Sequence, residues 1–262
     1  MMQLIINLLR EKEINTTDLD SHARLDLHEK MIAKRQMIAG VFREFYEKCD
    51  YANRKYLSGN GKQLEIGSGV GQIKKYYPEV ITSEVIESPL VDMVIDATKM
   101  NLENDSIRAI YGMNCFHHIP DPAKFFNECQ RVLNKGGGVV LIDPYYGWLS
   151  NLFYKRAFAT ETFEKDQASW ITETKVMVDA NQALSYIVFV RDRKKFEAQF
   201  PGLEIVEMGV LNNYVRYVSS GGLNFKQLLP NFMIPVLKTV EFLMIPVNKI
   251  FGLHHVIILR KK

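Results

Sequence analysis

The chain has 262 residues, 47% of them hydrophobic and 24% charged, with a formal net charge of +3. That suits one large α/β domain or two small ones, and the charge is too mild to argue for nucleic acid. No apolar run is long enough for a spanning helix, and Cys49, Cys115 and Cys129 show no C-x-x-C spacing, so a disulfide framework and a cysteine zinc site are both disfavoured. A reducing cytoplasm fits that cysteine usage best.

Residues 1–20 begin with Ile5, Ile6, Leu8 and Leu9, which suit a short helix on the domain or on a membrane surface, or a frayed terminus. The stretch lacks the basic flank and cleavage site of a signal peptide. Residues 22–57 are predicted to form a helix, because Leu27, Met31, Ile38, Phe42 and Phe45 recur at near-helical spacing. Ser58, Gly59, Asn60 and Gly61 end it.

Residues 63–66 read as a buried strand, followed by Gly67, Ser68, Gly69, Val70 and Gly71 and a helical stretch over 72–77. Glycines in such a turn let a ligand approach the backbone, and a helix start offers free N–H groups. The spacing is neither that of a phosphate-binding P-loop nor a full dinucleotide fingerprint, since Gln72 stands where a third glycine would fall. Glu65 would repel a diphosphate and attract a cation.

A second strand over 80–84 ends in Glu84, placed to accept from ribose hydroxyls, with Glu87 as the alternative. A third strand over 93–95 leads into Asp96 and Ala97. Between the two a helix would have room only for Ser88, Pro89, Leu90 and Val91, so the crossover is expected to be a loop. A fourth strand over 107–113 carries Asn114, Cys115, Phe116, His117 and His118 at its C-terminal end, where open α/β sheets bind ligands. Asp121 and Pro122 open a helix whose buried face is Phe125, Phe126, Cys129, Val132 and Leu133, with Gly136 as its stop. A fifth strand over 138–142 ends at Asp143.

Residues 145–182 contain no clear strand and are rich in aromatics, among them Trp148, Tyr154, Phe158, Phe163 and Trp170. They suit a substrate lid or a packed helical subdomain. Strands six and seven are expected over 203–211 and 256–259. Between them, residues 232–250 are apolar nearly all round, interrupted by Pro235 and Pro246; such a helix is buried, at an interface or on a bilayer. It could also cover a sheet face left bare by the missing crossover helix, or form a homodimer contact.

Glu65 with Gly67, Gly69 and Gly71, then Glu84, then Asp96 with Ala97, then the run from Phe116 through Pro122 to Gly137, together resemble the class I S-adenosylmethionine (SAM)-dependent methyltransferases. The type 11 branch, which includes ubiquinone and menaquinone biosynthesis methyltransferases, is most similar. The resemblance spans about residues 60–145. It implies a Rossmann-like, doubly wound seven-stranded sheet with the last strand antiparallel and helices on both faces. It implies one domain over 1–262: a helical cap at 1–60, a SAM-binding core at 61–144, a lid region with a late strand at 145–222, and an apolar segment with the last strand at 223–262.

The expected cofactor contacts are Glu65, Gly67, Ser68, Gly69, Gly71, Glu84, Asp96, Ala97 and Asn114. In the family, the acid after the third strand accepts from the adenine amino group, and an N-terminal helix covers the site, which would bring Tyr46 and Tyr51 near. His117, His118 and Asp143 are the candidate catalytic groups, with Tyr145 as a further candidate; His117 could act as a base or simply shape the pocket. No metal is expected. The acceptor is expected to be a small molecule, either lipid-linked or a polysaccharide precursor, with Arg191, Arg193, Lys194, Lys195, Arg216 and Lys226 as candidate headgroup contacts. A SAM-binding scaffold without turnover and a nucleotide-dependent oxidoreductase are the alternatives.

Overall fold

Alternation along three strands builds two hydrophobic layers on one sheet. The strands are β4 (Ile107–Met113), β5 (Leu133–Pro144) and β7 (His254–Lys261). Ile110, Val139, Leu141, Ile257 and Leu259 point into one buried cluster. Their neighbours Ala109, Tyr111, Val140, Ile142, Val256 and Ile258 point into the other. The remaining strands are β1 (Lys62–Ile66), β2 (Ile81–Glu84), β3 (Met93–Val94) and β6 (Leu203–Val210). The sheet order is β3-β2-β1-β4-β5-β7-β6. The first five strands run parallel, and β7 lies antiparallel between β5 and β6. This is the predicted Rossmann-like arrangement, and its strand order reverses between β1 and β4, where such sheets form a crevice.

The computed structural model describes residues 6, 8–16, 22–157, 161–172 and 180–262. Ile5 of the predicted terminal helix and Phe158 of the aromatic segment lie outside the described residues. After α1 (Lys12–Thr16), the predicted helix over 22–57 is two helices, α2 (His22–Lys34) and α3 (Gln36–Tyr56). The chain breaks at Arg35, which takes an extended conformation (φ −108°, ψ 92°). Its guanidinium donates to the Phe225 carbonyl and pairs with Glu11, contacts that helical periodicity does not encode. The break lets α3 lay Ile38, Val41, Phe45 and Cys49 on the sheet while α2 turns over the strand ends. Burying a side chain such as Phe45 stabilises the fold by about 1.5–3 kcal/mol.

No helix joins β2 to β3, as expected. Asp92 fastens the loop instead, accepting from the Thr82 N–H at 2.9 Å and the Thr82 hydroxyl at 3.0 Å. The predicted helix over 72–77 is a 3-10 turn, Gln72–Lys75. On the opposite face, α4 (Pro122–Val132) starts as predicted, with Asp121 accepting from the Ala123 and Lys124 N–H groups. It ends at Val132, not at Gly136; Leu133 is already extended, and Gly136 (φ +80°) lies in the irregular first part of β5. The Phe126 ring centroid lies within 5.1 Å of those of Phe196, in α7 (Arg193–Gln199), and Phe200, which caps that helix.

Between β5 and β6 lie α5 (Trp148–Ala157), α6 (Leu184–Tyr186) and a π turn, Ile187–Arg191. Between β6 and β7 lie α8 (Tyr214–Ser220), α9 (Ile234–Leu243) and α10 (Asn248–Phe251). The apolar segment 232–250 is therefore not one helix, and it does not cover the sheet: α9 packs on α8. In α9 only Leu237 and Glu241 are buried, whereas Phe242 and Leu243 are each 69% exposed. No described helix is long and apolar enough to cross a membrane.

β5–β7 pairing sets Asp143 beside His255 and Pro144 beside His254. Burial pushes both imidazoles down to about 3, and the neighbouring His255 adds to the fall at His254. Both are neutral in the fold, while the unfolded chain gains their protons below its value of 6.5. Their contribution is complete above that pH and is lost as pH falls toward 3, each with a limiting slope of about 1.4 kcal/mol per pH unit. Denaturant titrations between about pH 7 and pH 5 should show stability falling with acid, and His255→Gln should flatten the dependence. Because buried Glu65 works in the opposite sense over the same window, the comparison with the variant decides: identical pH dependence in wild type and His255→Gln contradicts the burial of that imidazole.

Candidate active site

A cavity of about 430 Å³ opens at the C-terminal ends of β1, β2 and β4. Glu65, Gly67, Ser68 and Gly69 border it from the first strand and its turn. Glu84, Val85 and Ile86 follow from β2, Asp96, Ala97 and Thr98 from the β3 end, and Asn114, Cys115 and His118 from β4. Arg24, Leu25, His28 and Ile32 of α2 and Phe42 and Tyr46 of α3 close it, so the N-terminal helices cover the site as anticipated. Of the predicted contacts, Gly71 is not on the cavity; nor are Glu87 and Tyr51. Tyr51 is exposed on α3 and accepts from Lys55.

Gly71 has a structural duty. It caps the 3-10 turn at φ +62°, and a Cβ there would stand 2.5 Å from the Leu90 carbonyl oxygen. Gly69 also has positive φ (+55°), but a Cβ there would meet nothing within 4 Å. Asn114 has φ +51°, uncommon for a residue with a side chain, at the mouth of the crevice.

Glu65 is the most unusual group. Its carboxylate is buried, and Oε2 has no hydrogen-bond partner. Burial, with a further push from Glu84, raises its pKa to about 8. Glu84 is also raised by burial, against the pull of the Gly69 N–H, which donates to Oε1 at 2.6 Å. Asp96 does two things: Oδ1 accepts from the Thr98 N–H and hydroxyl at 2.7 Å, while the residue still borders the cavity.

The three predicted catalytic residues do come together. His117 and His118 lie in a 3-10 turn, Phe116–His118, just after β4. Nδ1 of His117 is 2.8 Å from Oδ1 of the wholly buried Asp143. Burial opposes charge on His117, but Asp143 and then Glu161 outweigh it and raise its pKa. The ring of His118 sits 4.2 Å from that of His117, centroid to centroid, and burial with its neighbour drives its pKa far down. Tyr145 stands apart, its hydroxyl directed at the Lys249 carbonyl.

Glu161 was not foreseen. Its Oε2 is 3.7 Å from Nε2 of His117, and Gln182 donates to the same oxygen. No local motif marks it, because it reaches the site from a segment without regular structure. Arg24 and His28 were missed for the same reason: nothing in a lone helical face says what it will cover. The basic candidates for headgroup binding mostly have other partners. Arg191 bonds Asp192 and the Lys165 and Gln167 carbonyls, and Arg193 pairs with Glu197. Arg216 is buried between Glu44 and Glu241, Lys195 lies over Trp170, and Lys226 donates to the Leu8 carbonyl.

Residues 64–141 match the family model of a methyltransferase domain. That match begins in β1 and ends in β5, so the matched stretch contains the turn, Glu84, Asp96, both histidines and α4, but not the segments after β5. No curated protein matches the chain as a relative. Geranyl diphosphate C-methyltransferase from Streptomyces coelicolor has a similar fold, with a TM-score of 0.51 at 11% identity over 94% of this chain and 84% of that one. Phosphoethanolamine N-methyltransferase 2 from Haemonchus contortus superposes with a TM-score of 0.45 at 14% identity over 82% of this chain. This chain spans 52% of that enzyme's length.

The two turn glycines predict different outcomes. Gly71→Ala should destabilise the chain by about 2–4 kcal/mol, through backbone strain plus the clash with Leu90. Gly69→Ala should cost only about 1–2 kcal/mol, the left-handed strain alone, while its methyl intrudes on the cavity. Thermal melts of the two variants check the order; equal losses would contradict it.

Proposed function

We propose that the chain is a SAM-dependent methyltransferase acting on a small-molecule acceptor. The observation that supports this is Glu65, a buried carboxylate with an unpartnered oxygen on the wall of a nucleoside-sized cavity. A buried polar atom without a partner is costly, and an ammonium donor relieves it. A diphosphate offers no donor to that oxygen, which disfavours an oxidoreductase. Glu65 with Gly67, Ser68 and Gly69 would hold the amino-acid end, Glu84 the ribose hydroxyls, and Asp96, through Oδ2, with Ala97 and Asn114 the adenine side. When bound, SAM supplies an electrophilic methyl group on a neutral leaving group.

The residues of the chain supply the rest. The α2 cover excludes water and holds the reactants together. Asp143 keeps the proton of His117 on Nδ1, so Nε2 presents its lone pair toward Glu161 and His118. With nothing else bound, that lone pair receives the proton of a hydroxyl or ammonium acceptor. A scaffold without turnover would share the cavity but release no demethylated product.

We further propose an amphipathic, lipid-linked acceptor. The inner sides of α5 and α10, with Met244 just past the end of α9, join one cluster around Tyr154 and Leu253, through Phe153, Met244 and Phe251. Outside that cluster Trp148, Leu152, Phe242, Leu243, Ile245 and Ile250 are all exposed. Lys155, Arg156, Lys238 and Lys249 are exposed on the same elements. An apolar face flanked by cations fits the surface of an anionic bilayer.

Two measurements test these readings. In calorimetry, SAM affinity should rise with pH by up to about tenfold per unit and level off above about 8, because Glu65 must lose its proton to bind a cation. Glu65→Gln should weaken binding and abolish that slope; wild-type binding of NAD and not SAM would overturn the assignment. In flotation, vesicles containing phosphatidylglycerol should carry the chain and neutral ones should carry less, with Phe242→Asp and Leu243→Asp removing the effect. A chain that floats with neither has a water-soluble acceptor.

A further inference from the structure

The group at the ends of β4 and β5 has more ligand chemistry than a base needs. One ring nitrogen of His117, one of His118 and a carboxylate oxygen of Glu161 lie within 4.8 Å of one another. We propose that these three residues bind one divalent cation of the zinc class, with the remaining coordination position open to the acceptor. Its placement beside the acceptor rests on the methyltransferase reading; the ligand set itself does not.

Four observations support the site. First, the donor set is two imidazoles and one carboxylate, three protein ligands where a structural zinc takes four, a pattern of catalytic zinc. Two ligands on a tetrahedral zinc stand roughly 3.3 Å apart, given bonds of about 2.0 Å. Nε2 of His117 and Oε2 of Glu161 are already at 3.7 Å, so a small closure completes the set.

Second, both ends of the set are braced from behind. Asp143 holds Nδ1 of His117 at 2.8 Å, which fixes the tautomer with its lone pair on Nε2. Gln182, itself buried, donates to Glu161. Outer partners of this kind orient metal ligands and raise their basicity. Third, Nδ1 of His118 is buried without any partner, although the ring borders the cavity. Fourth, the charges balance. Asp143 and Glu161 bring two negative charges to a largely buried group, and one divalent cation neutralises both. A protonated His117 between the two carboxylates is the competing arrangement, and it leaves one negative charge over.

Such a cation would accept a hydroxyl or carboxylate oxygen of the acceptor in its open position and lower the pKa of a bound hydroxyl. His117 is then a ligand, not a base. Magnesium, which prefers oxygen donors and retains its waters, fits two imidazoles poorly.

The test uses the untagged full-length chain after chelator treatment. Zinc is added in equilibrium dialysis, and cobalt(II) in parallel for its visible absorption. One equivalent should bind, with the cobalt band of a low-coordinate nitrogen–oxygen site, undiminished by excess magnesium. His118→Ala and Glu161→Gln should each weaken binding at least tenfold, and Asp143→Asn by about 10–100-fold through His117. Circular dichroism checks that the variants fold, and the wild-type cobalt spectrum stands without them. Wild-type binding no tighter than that of Glu161→Gln overturns the site. SAM calorimetry on the same samples separates the two readings: SAM bound without zinc removes the metal alone, and zinc bound without SAM removes the methyltransferase assignment alone.

Discussion

A carboxylate sealed into the end of the central strand is the constraint around which this protein is arranged. Glu65 follows Leu64 into the interior because alternate residues of β1 must face the two layers, and the strand ends before it can escape to solvent. The fold accepts the cost of an acid that burial holds largely neutral near pH 7. In return the crevice between β1 and β4 has a strong acceptor at the point where the sheet offers space. The glycines after it, the Glu84 carboxylate opposite and the α2 cover are all placed relative to that group.

The site has two poles with different physics. Around Glu65 the groups are acceptors awaiting a donor. Around His117 they are already braced: Asp143 behind one histidine, Gln182 behind Glu161, and His255 bonded to Ser185 at 2.8 Å nearby. A braced constellation is positioned for chemistry, since its members lose little freedom when a reactant arrives. The turn after β4 and the end of β5 deliver His117 and Asp143, and pairing of β7 with β5 sets His255 level with Asp143.

Much of this was legible in the sequence wherever the signal was local. The β1 turn, the acids ending β2 and β3, the Asp121 cap and the absent crossover helix all follow from residues within a few positions of one another. What failed was long-range. The helix break at Arg35 depends on the Phe225 carbonyl and Glu11; Glu161 meets His117 across 44 positions. Gly71 looked like a ligand contact because glycine spacing cannot tell a backbone that faces a ligand from one that faces another strand's loop. Composition leaves segment 232–250 open between core, interface and bilayer, because it reports apolarity and not what covers it. The basic run after Val190 looked available for a headgroup, yet its members are largely spent on Asp192, Glu197 and Trp170.

Arg216 gives the apolar face a property that its composition hides. The arginine is 5% exposed and joins Glu241 of α9 to Glu44 of α3, at 2.6 and 2.7 Å. The anchor of α9 is thus largely a sheltered ion network, with Leu237 as its one buried apolar side chain. Sheltered pairs are little screened by dissolved ions, whereas attraction between exposed lysines and a charged lipid surface is screened strongly. On the lipid-surface reading proposed above, rising ionic strength would therefore separate two functions of one helix: a grip on lipid would let go while the seat on the protein stays firm, and the chain would leave the surface intact and ready to return.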